Sequence, residues 1–249
     1  MAAQASILIT GAASGIGAAL ARQLAGPGVR LALHTRRNLD RLDAVAAEAR
    51  GKGADVVCCD GDLAAPGAGS RIVTAATRDG GGLAALVANA GFADRTEVTA
   101  LDAARLAASI DAIARGFLEL AQAALPHLPE GGRIVAVSSF VAHAFRAGVP
   151  IFAASAAAKA ALEALVKVLA MEAAPRGITV NAVVPGFVRK DTAAHRAMEP
   201  ERWNAIADQI PLGRIGEPAE LAAAIAFLLS PPAGYITGQC LHVDGGLCI

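Results

Sequence analysis

The chain has 249 residues, 55% of them hydrophobic and 18% charged. That is enough for one large α/β core, while glycines and charges interrupt the apolar material too often for any stretch to cross a bilayer. Lys plus Arg and Asp plus Glu each total 22, a balance that argues against nucleic acid or an anionic membrane as the main partner.

Short apolar runs alternate with longer helical patterns along the chain. "SILIT" (6–10) reads as a buried strand with no basic-then-apolar leader before it, which points to a cytoplasmic protein. A helix is predicted near 15–26, ending at Gly26-Pro27-Gly28. A second strand, "RLALHT" (30–35), and a helix over 39–50 follow, the helix with Leu39, Leu42, Val45 and Ala49 at helical spacing. "DVVCC" (55–59) and "LAALVA" (83–88) are the third and fourth strands, with another helix between them. Segment 102–125 puts Leu106, Ile110, Ile113, Phe117 and Leu120 on one helical face. "RIVAVS" (133–138), a helix over 152–173, "TVNAVV" (179–184) and "CLHVD" (240–244) complete the series.

Strands alternating with helices imply right-handed crossovers and a parallel sheet covered on both faces. Residues 187–212, charged and broken by Pro200 and Pro211, read either as a lid near the sheet's carboxyl edge or as a surface connection. Cys58, Cys59, Cys240 and Cys248 show no C-x-x-C spacing. They read as reduced core thiols, neither a disulfide framework nor a metal site.

"TGAASGIG", Thr10 to Gly17, joins the first strand to the first helix. Such a turn needs glycine where a Cβ would hold the backbone away from a diphosphate, and the helix N-terminus adds free N–H groups and partial positive charge. Thr10-Gly11-x-x-x-Gly15-x-Gly17 resembles the cofactor motif of the short-chain dehydrogenases/reductases. Further matches follow in order over nearly the whole chain. They are Asp62-Leu63 after the third strand, "ANAG" (88–91) after the fourth, with alanine in place of the first asparagine, and Asn181 with Pro185-Gly186 at the sixth. "TGQ" (237–239) and "DGG" (244–246) lie near the C-terminus.

The resemblance implies one α/β domain over 1–249, a Rossmann fold with a doubly wound seven-stranded parallel sheet in the order 3-2-1-4-5-6-7. It also implies a homotetramer or homodimer. By the same resemblance, Gly11, Ser14, Gly15, Ile16, Gly17, Asp62, Leu63, Asn89, Ala90, Gly91, Lys159, Pro185, Gly186 and Val188 hold a nicotinamide dinucleotide. A carboxylate ending the second strand would bond the ribose hydroxyls of NAD. Here the strand runs into "HTRRN" (34–38), where Arg36 and Arg37 offer planar forks suited to a 2′-phosphate. The expected cofactor is therefore NADP(H), with NAD(H) the alternative if the two arginines are only solvated residues before a helix.

Members of the family use Asn, Ser, Tyr and Lys for proton handling around the carbonyl. Ser139, second serine of "VSSF", fits the serine, with Ser138 as its neighbour, and Lys159 fits the lysine. Ile113 of "IDAI" stands where the resemblance implies asparagine, and its place on the apolar stripe points to packing. Ser155 stands four residues before Lys159, at the tyrosine position. Counting forward from Ser139 instead reaches Phe152, seven before Lys159, a spacing that resembles the bacterial enoyl-ACP reductases. Neither alignment yields a phenol, and the single tyrosine, Tyr235, belongs to "YITGQ". An ammonium can bring a phenol toward neutral pKa, whereas an aliphatic alcohol is far less acidic. Ser139, Lys159 and Ser155 are the candidate catalytic residues. His143 in the lengthened stretch 140–152 is a candidate substitute proton donor, and His195 another, unless each is a loop histidine facing water.

Two functions follow. The first is an NADP(H)-dependent oxidoreductase acting on a small or medium apolar carbonyl or activated alkene, with Phe145, Val149, Ile151 and Phe152 bordering the pocket. The second is a catalytically silent NADP-binding protein, a structural partner or redox-state sensor, motivated by loss of both the phenol and the asparagine.

Overall fold

The computed structural model describes residues 5–78, 80–145, 149, 152–189 and 200–249. Seven strands form one sheet: β1 Ser6–Thr10, β2 Arg30–Thr35, β3 Asp55–Asp60, β4 Leu83–Ala88, β5 Arg133–Val137, β6 Thr179–Pro185 and β7 Cys240–Val243. They lie in the order β3-β2-β1-β4-β5-β6-β7, and every neighbouring pair is parallel. The helices are α1 Gly15–Leu24, α2 Leu39–Gly51, α3 Ala68–Thr77, α4 Ala103–Ile110, α5 Gly116–Ala124, α6 Ala153–Ala173, α7 Pro200–Ala207 and α8 Pro218–Leu229.

Alternation along the strands divides the core in two. Leu8, Leu86, Ile134 and Val180 face one side, where they pack with Ile72 of α3, Phe117 and Leu120 of α5, and Leu162 and Val166 of α6. Ile9, Val87 and Val135, each next in the chain to one of these, and Val183 of β6 face the other, with Leu20 of α1, Leu42 of α2, and Leu221 and Ile225 of α8. Each fully buried aliphatic side chain contributes about 1.5–3 kcal/mol relative to exposure. Both strand faces are covered, so these strands read as unbroken apolar runs. The chain winds outward from β1 to β3 and then restarts at β4, leaving a crevice at the carboxyl ends of β1 and β4 where such sheets bind ligands.

The expected continuous helix over 102–125 is interrupted. Asp111–Arg115 forms a π turn between α4 and α5. Gly116 sits at its end, so close to the β3–α3 loop that a Cβ would come within 3.1 Å of Leu63 Cβ. Arg115 braces the turn, donating to Asp111 at 2.9 Å, to Glu119 at 2.7 Å and to the Ala64 carbonyl at 2.5 Å. The wider turn rotates α4 relative to α5. Ile113, Phe117 and Leu120 are buried while Leu106 is exposed.

A smaller apolar cluster caps the carboxyl edge of the sheet. Phe140, Val141, Ala144 and Val149 pack there with Ala156 of α6, Ile210, Ile215 and Leu247, and with Phe152, Phe187 and Trp203 around them. The described part of segment 187–212 therefore rests on the lengthened stretch after β5. Residues 190–199, including His195, and Ile151 lie outside the described residues.

Candidate active site

The turn between β1 and α1 is shaped by close approach. A Cβ on Gly17 would lie 2.5 Å from the Gly11 carbonyl oxygen, so α1 can start this near the strand end only with glycine there. Gly15, at φ +55°, has no heavy atom within 4 Å of where its Cβ would point, so the turn faces open space. Ser14 makes no side-chain cap and no acidic residue occupies the first turn of α1, which leaves those N–H groups for an anion.

Asn89 laces this turn to β4. Its Nδ2 donates to the carbonyls of Thr10 at 2.9 Å and Gly11 at 3.2 Å, while Thr10 Oγ1 accepts from the N–H groups of Asn89 and Ala90 at 3.0 Å each. Gly91 continues toward α6, where a Cβ on it would meet Lys159 Nζ at 3.4 Å.

At the end of β2, Arg36 and Arg37 are exposed, and Arg36 Nη1 lies 3.7 Å from Asp62 Oδ2. Asp62 Oδ1 also accepts the Ala64 N–H at 3.0 Å. Beneath them, His34 Nε2 lies 2.9 Å from the Gly61 carbonyl, and burial lowers the pKa of this imidazole. Both guanidinium groups are exposed after β2, that of Arg36 within reach of Asp62.

At the other end, Lys159 lies buried on α6 and donates to the Val137 carbonyl at 2.6 Å. Burial pulls its ammonium down to about 8, against the attraction of Glu163, which pulls up. Ser139 follows β5 in extended conformation, and its Oγ accepts the Val141 N–H at 3.4 Å. Ser138 is buried and donates to Glu163. Ser155, one turn before Lys159, is buried, and its Oγ accepts the Asp94 N–H at 2.9 Å. Phe152 stands just before α6 with Arg95 5.9 Å from its ring centre. Tyr235 is wholly exposed, in the segment before β7.

Comparison with known proteins agrees with this geometry. A family model described as enoyl-(acyl carrier protein) reductase matches residues 11–248. The 3-oxoacyl-[acyl-carrier-protein] reductase FabG of Staphylococcus aureus is 35% identical over 244 residues, which is 97% of each chain. A short-chain dehydrogenase/reductase from Serratia marcescens superposes with a TM-score of 0.90 at 32% identity, over 99% of both chains. The chain belongs to the short-chain dehydrogenases/reductases, a family of oxidoreductases. Another member, from Burkholderia cenocepacia and solved in complex with NADP, superposes with a TM-score of 0.86 at 33% identity, over 98% of this chain and 97% of its own.

In this short-chain dehydrogenase/reductase, the structure brings the β1–α1 turn, Asn89 to Gly91, Lys159 and Ser139 to one edge of the sheet. Pro185 and Gly186 end β6 against the C-terminal segment. A Cβ on Gly186 would come within 2.9 Å of Asp244 Cα, and Val188 bridges to Gly216. Asn181 works as a fastener: its Nδ2 donates to the Ile236 carbonyl at 2.8 Å and its Oδ1 accepts the Gln239 N–H at 3.0 Å. The four cysteines are unpaired by disulfides and only partly buried. Cys248 lies with His242 and Asp244, their side-chain atoms within 4.8 Å of one another. Asp244 there accepts the Gly246 and Cys248 N–H groups at 2.9 and 3.1 Å, closing the C-terminal turn.

Sequence reasoning missed Glu163. The available signal was its position four residues after Lys159, on one helical face. Among the described residues no helix is long and apolar enough to cross a membrane.

Proposed function

We propose that the protein is a cytoplasmic, NADP(H)-dependent short-chain dehydrogenase/reductase that transfers hydride to or from a small or medium apolar carbonyl or activated alkene. The observation that carries this reading is Lys159. Its ammonium is buried beside Gly91 and held by the Val137 carbonyl, at the end of a cradle whose glycines leave room for a diphosphate. A nicotinamide dinucleotide fits that cradle, because Gly15 opens on empty space and the N-terminus of α1 is uncapped.

When bound, the coenzyme supplies the hydride. The Gly11 to Gly17 turn holds the diphosphate, Arg36 and Arg37 take the 2′-phosphate, Asp62 reaches the adenine, and Lys159 grips the nicotinamide ribose. The Ser139 hydroxyl orients the substrate oxygen. Phe140, Phe187 and Phe152 give the neighbouring surface its apolar character, the first two with ring centres 4.6 Å apart. Reduction of a ketone needs a proton at oxygen as charge develops there, whereas an activated alkene needs less immediate donation. Without a phenol the site is better suited to the alkene. Exposed Leu118, Val168 and Met171 on α5 and α6 supply an apolar face for assembly into a homodimer or homotetramer.

The second reading is a silent NADP-binding protein. The buried Ile113 and the engagement of Ser155 with Asp94 favour it, since neither position offers a mobile proton. The test is NADPH oxidation across ketones, quinones and enones, with NADPH and NADH binding titrated in parallel. Turnover with enones supports the first reading; NADPH binding without oxidation of any acceptor supports the second.

A further inference from the structure

Strand β7 runs out through His242 and Val243 into Asp244. Side chains two apart in extended chain share a face, which sets the imidazole beside the carboxylate. Gly245 and Gly246, at φ +68° and +88°, then fold the chain back, and Cys248 returns to the same place. The three side chains each offer one ligand atom, and these atoms all lie within 4.8 Å of one another. Among the described residues no other three imidazole, thiol or carboxylate groups come together in this way. As a spacing, H-x-D-x-x-x-C is not a zinc signature; the double-glycine turn is what makes the set.

Asp244 is the member that calls for a positive charge. Its side chain is only 7% exposed. Oδ1 accepts the Gly246 N–H at 2.9 Å and Oδ2 the Cys248 N–H at 3.1 Å, while the Cys248 thiol and His242 are its side-chain partners. Among the described residues no lysine or arginine forms an ion pair with it. Arg214, on the same cleft, is taken by Glu220 at 2.6 and 2.9 Å. A buried carboxylate is costly unless a cation answers it.

The separation within the set fits a shared ion. His242 Nδ1 lies 3.4 Å from Asp244 Oδ2, long for a hydrogen bond. Nitrogen and oxygen ligands about 2.0–2.2 Å from a tetrahedral zinc ion stand about 3.4 Å apart. The sulfur needs to move by about 1 Å at most to join them, less than a rotamer change supplies. The His143 ring packs edge-on against His242, with centres 4.5 Å apart, and its Nε2 is turned to Glu163 at 2.9 Å, so it steadies the His242 imidazole. On its other side His242 lines an open cleft of about 410 Å³ with Phe187 and Leu212.

We propose that His242, Asp244 and Cys248 bind one zinc-class divalent cation, with the fourth position left to water from the cleft. The carboxylate and the thiolate balance its two positive charges, and the thiol proton leaves to solvent as the sulfur coordinates. A thiolate with an imidazole selects zinc over magnesium or calcium, which take oxygen ligands. The ion clasps the C-terminal turn to β7. That turn also abuts the end of β6, where a Cβ on Gly186 would come within 2.9 Å of Asp244 Cα. The site needs neither coenzyme nor turnover, so it stands or falls apart from the oxidoreductase reading.

The test uses the full chain, reduced and stripped with a chelator, and titrates it with cobalt(II) as a coloured substitute for zinc. Wild type should develop a thiolate-to-cobalt band that saturates at one ion per chain. Zinc should displace it, and about a hundredfold excess of magnesium should not. Zinc should also raise the melting temperature, since it binds the folded chain. Cys248→Ala should abolish the band, and His242→Ala should weaken cobalt binding at least about tenfold. Cys240→Ala and the double variant Cys58→Ala/Cys59→Ala should leave the band intact. Each variant is also melted without metal, and the partly exposed His242 decides the question if Cys248→Ala does not fold. The site is overturned if wild type gives no thiolate band at stoichiometric cobalt, or if the band survives Cys248→Ala. It is equally overturned if His242→Ala binds cobalt within about twofold of wild type.

Discussion

A Cβ on Gly17 would lie 2.7 Å from Nδ2 of Asn89, the same nitrogen that donates to the Thr10 and Gly11 carbonyls. The first turn of α1 and the end of β4 are thus in contact through a hydrogen atom's width of space. Gly17→Ala must push one of them away, and overpacking of this kind costs about 1–3 kcal/mol. The expected result is a lower melting temperature together with at least a tenfold loss of NADPH affinity. Calorimetric titration beside a thermal melt measures both, and a variant that binds NADPH normally would show that the cradle is not where the diphosphate rests.

Arg36 stands 3.7 Å from Asp62, both half exposed, so their mutual attraction is weak and mainly sets direction. A phosphate between Arg36 and Arg37 would gain charge-assisted hydrogen bonds worth about 1.5–3 kcal/mol. Replacing both arginines with alanine should weaken NADPH binding about tenfold to a hundredfold and leave NADH nearly unchanged. Fluorescence titration with each reduced cofactor reads the ratio. Equal losses for the two cofactors would assign the arginines a role unrelated to the 2′-phosphate.

The parts of this molecule that were legible beforehand are those whose causes are local. Gly11, Gly15 and Gly17 announce a tight turn after a strand, and apolar runs such as "LAALVA" announce strands covered on both faces. The π turn at Asp111–Arg115 left no such trace. Ile113, Phe117 and Leu120 keep their spacing through it, and only the exposure of Leu106 betrays the rotation. Glu163 was hidden for a different reason. A glutamate on a helix reads as solvated until the burial of its face is known, and that depends on Ser138 and His143 arriving from another part of the chain. The same holds for Ser155 and Asp94, which are 61 residues apart.

Ser155 Oγ accepts the Asp94 N–H at 2.9 Å, tying the loop after β4 to the first turn of α6. Ser155→Tyr trades this tie for a phenol one turn before the Lys159 ammonium. Losing the hydrogen bond should cost about 1 kcal/mol in thermal or urea unfolding. A phenol brought near neutrality by that ammonium should raise ketone reduction by about two powers of ten or more. A variant that folds, binds NADPH and reduces ketones no faster than wild type would show that more than the phenol separates this site from its relatives.

Lys159 offers a prediction about stability that needs no substrate. Its ammonium is lowered from the ordinary 10.5 to about 8, by burial first, with Glu163 opposing. In cofactor-free protein at neutral pH the folded and unfolded chains both carry this proton, so the folded state bears the full cost of the buried charge, about 3 kcal/mol. As pH rises through about 8 the folded state releases the proton while the unfolded chain keeps it up to its ordinary value. The unfolded state then binds more protons, and stability rises with pH across that window. Lys159→Met lacks the titrating group, so subtracting its urea-unfolding free energy from that of wild type removes the contributions of other groups that behave alike in both proteins. Wild type should gain up to about 3 kcal/mol on the variant between about pH 8 and about pH 10.5. A difference that stays flat over this range would place the ammonium in water, outside the core, and would remove the main support for an active site built around it.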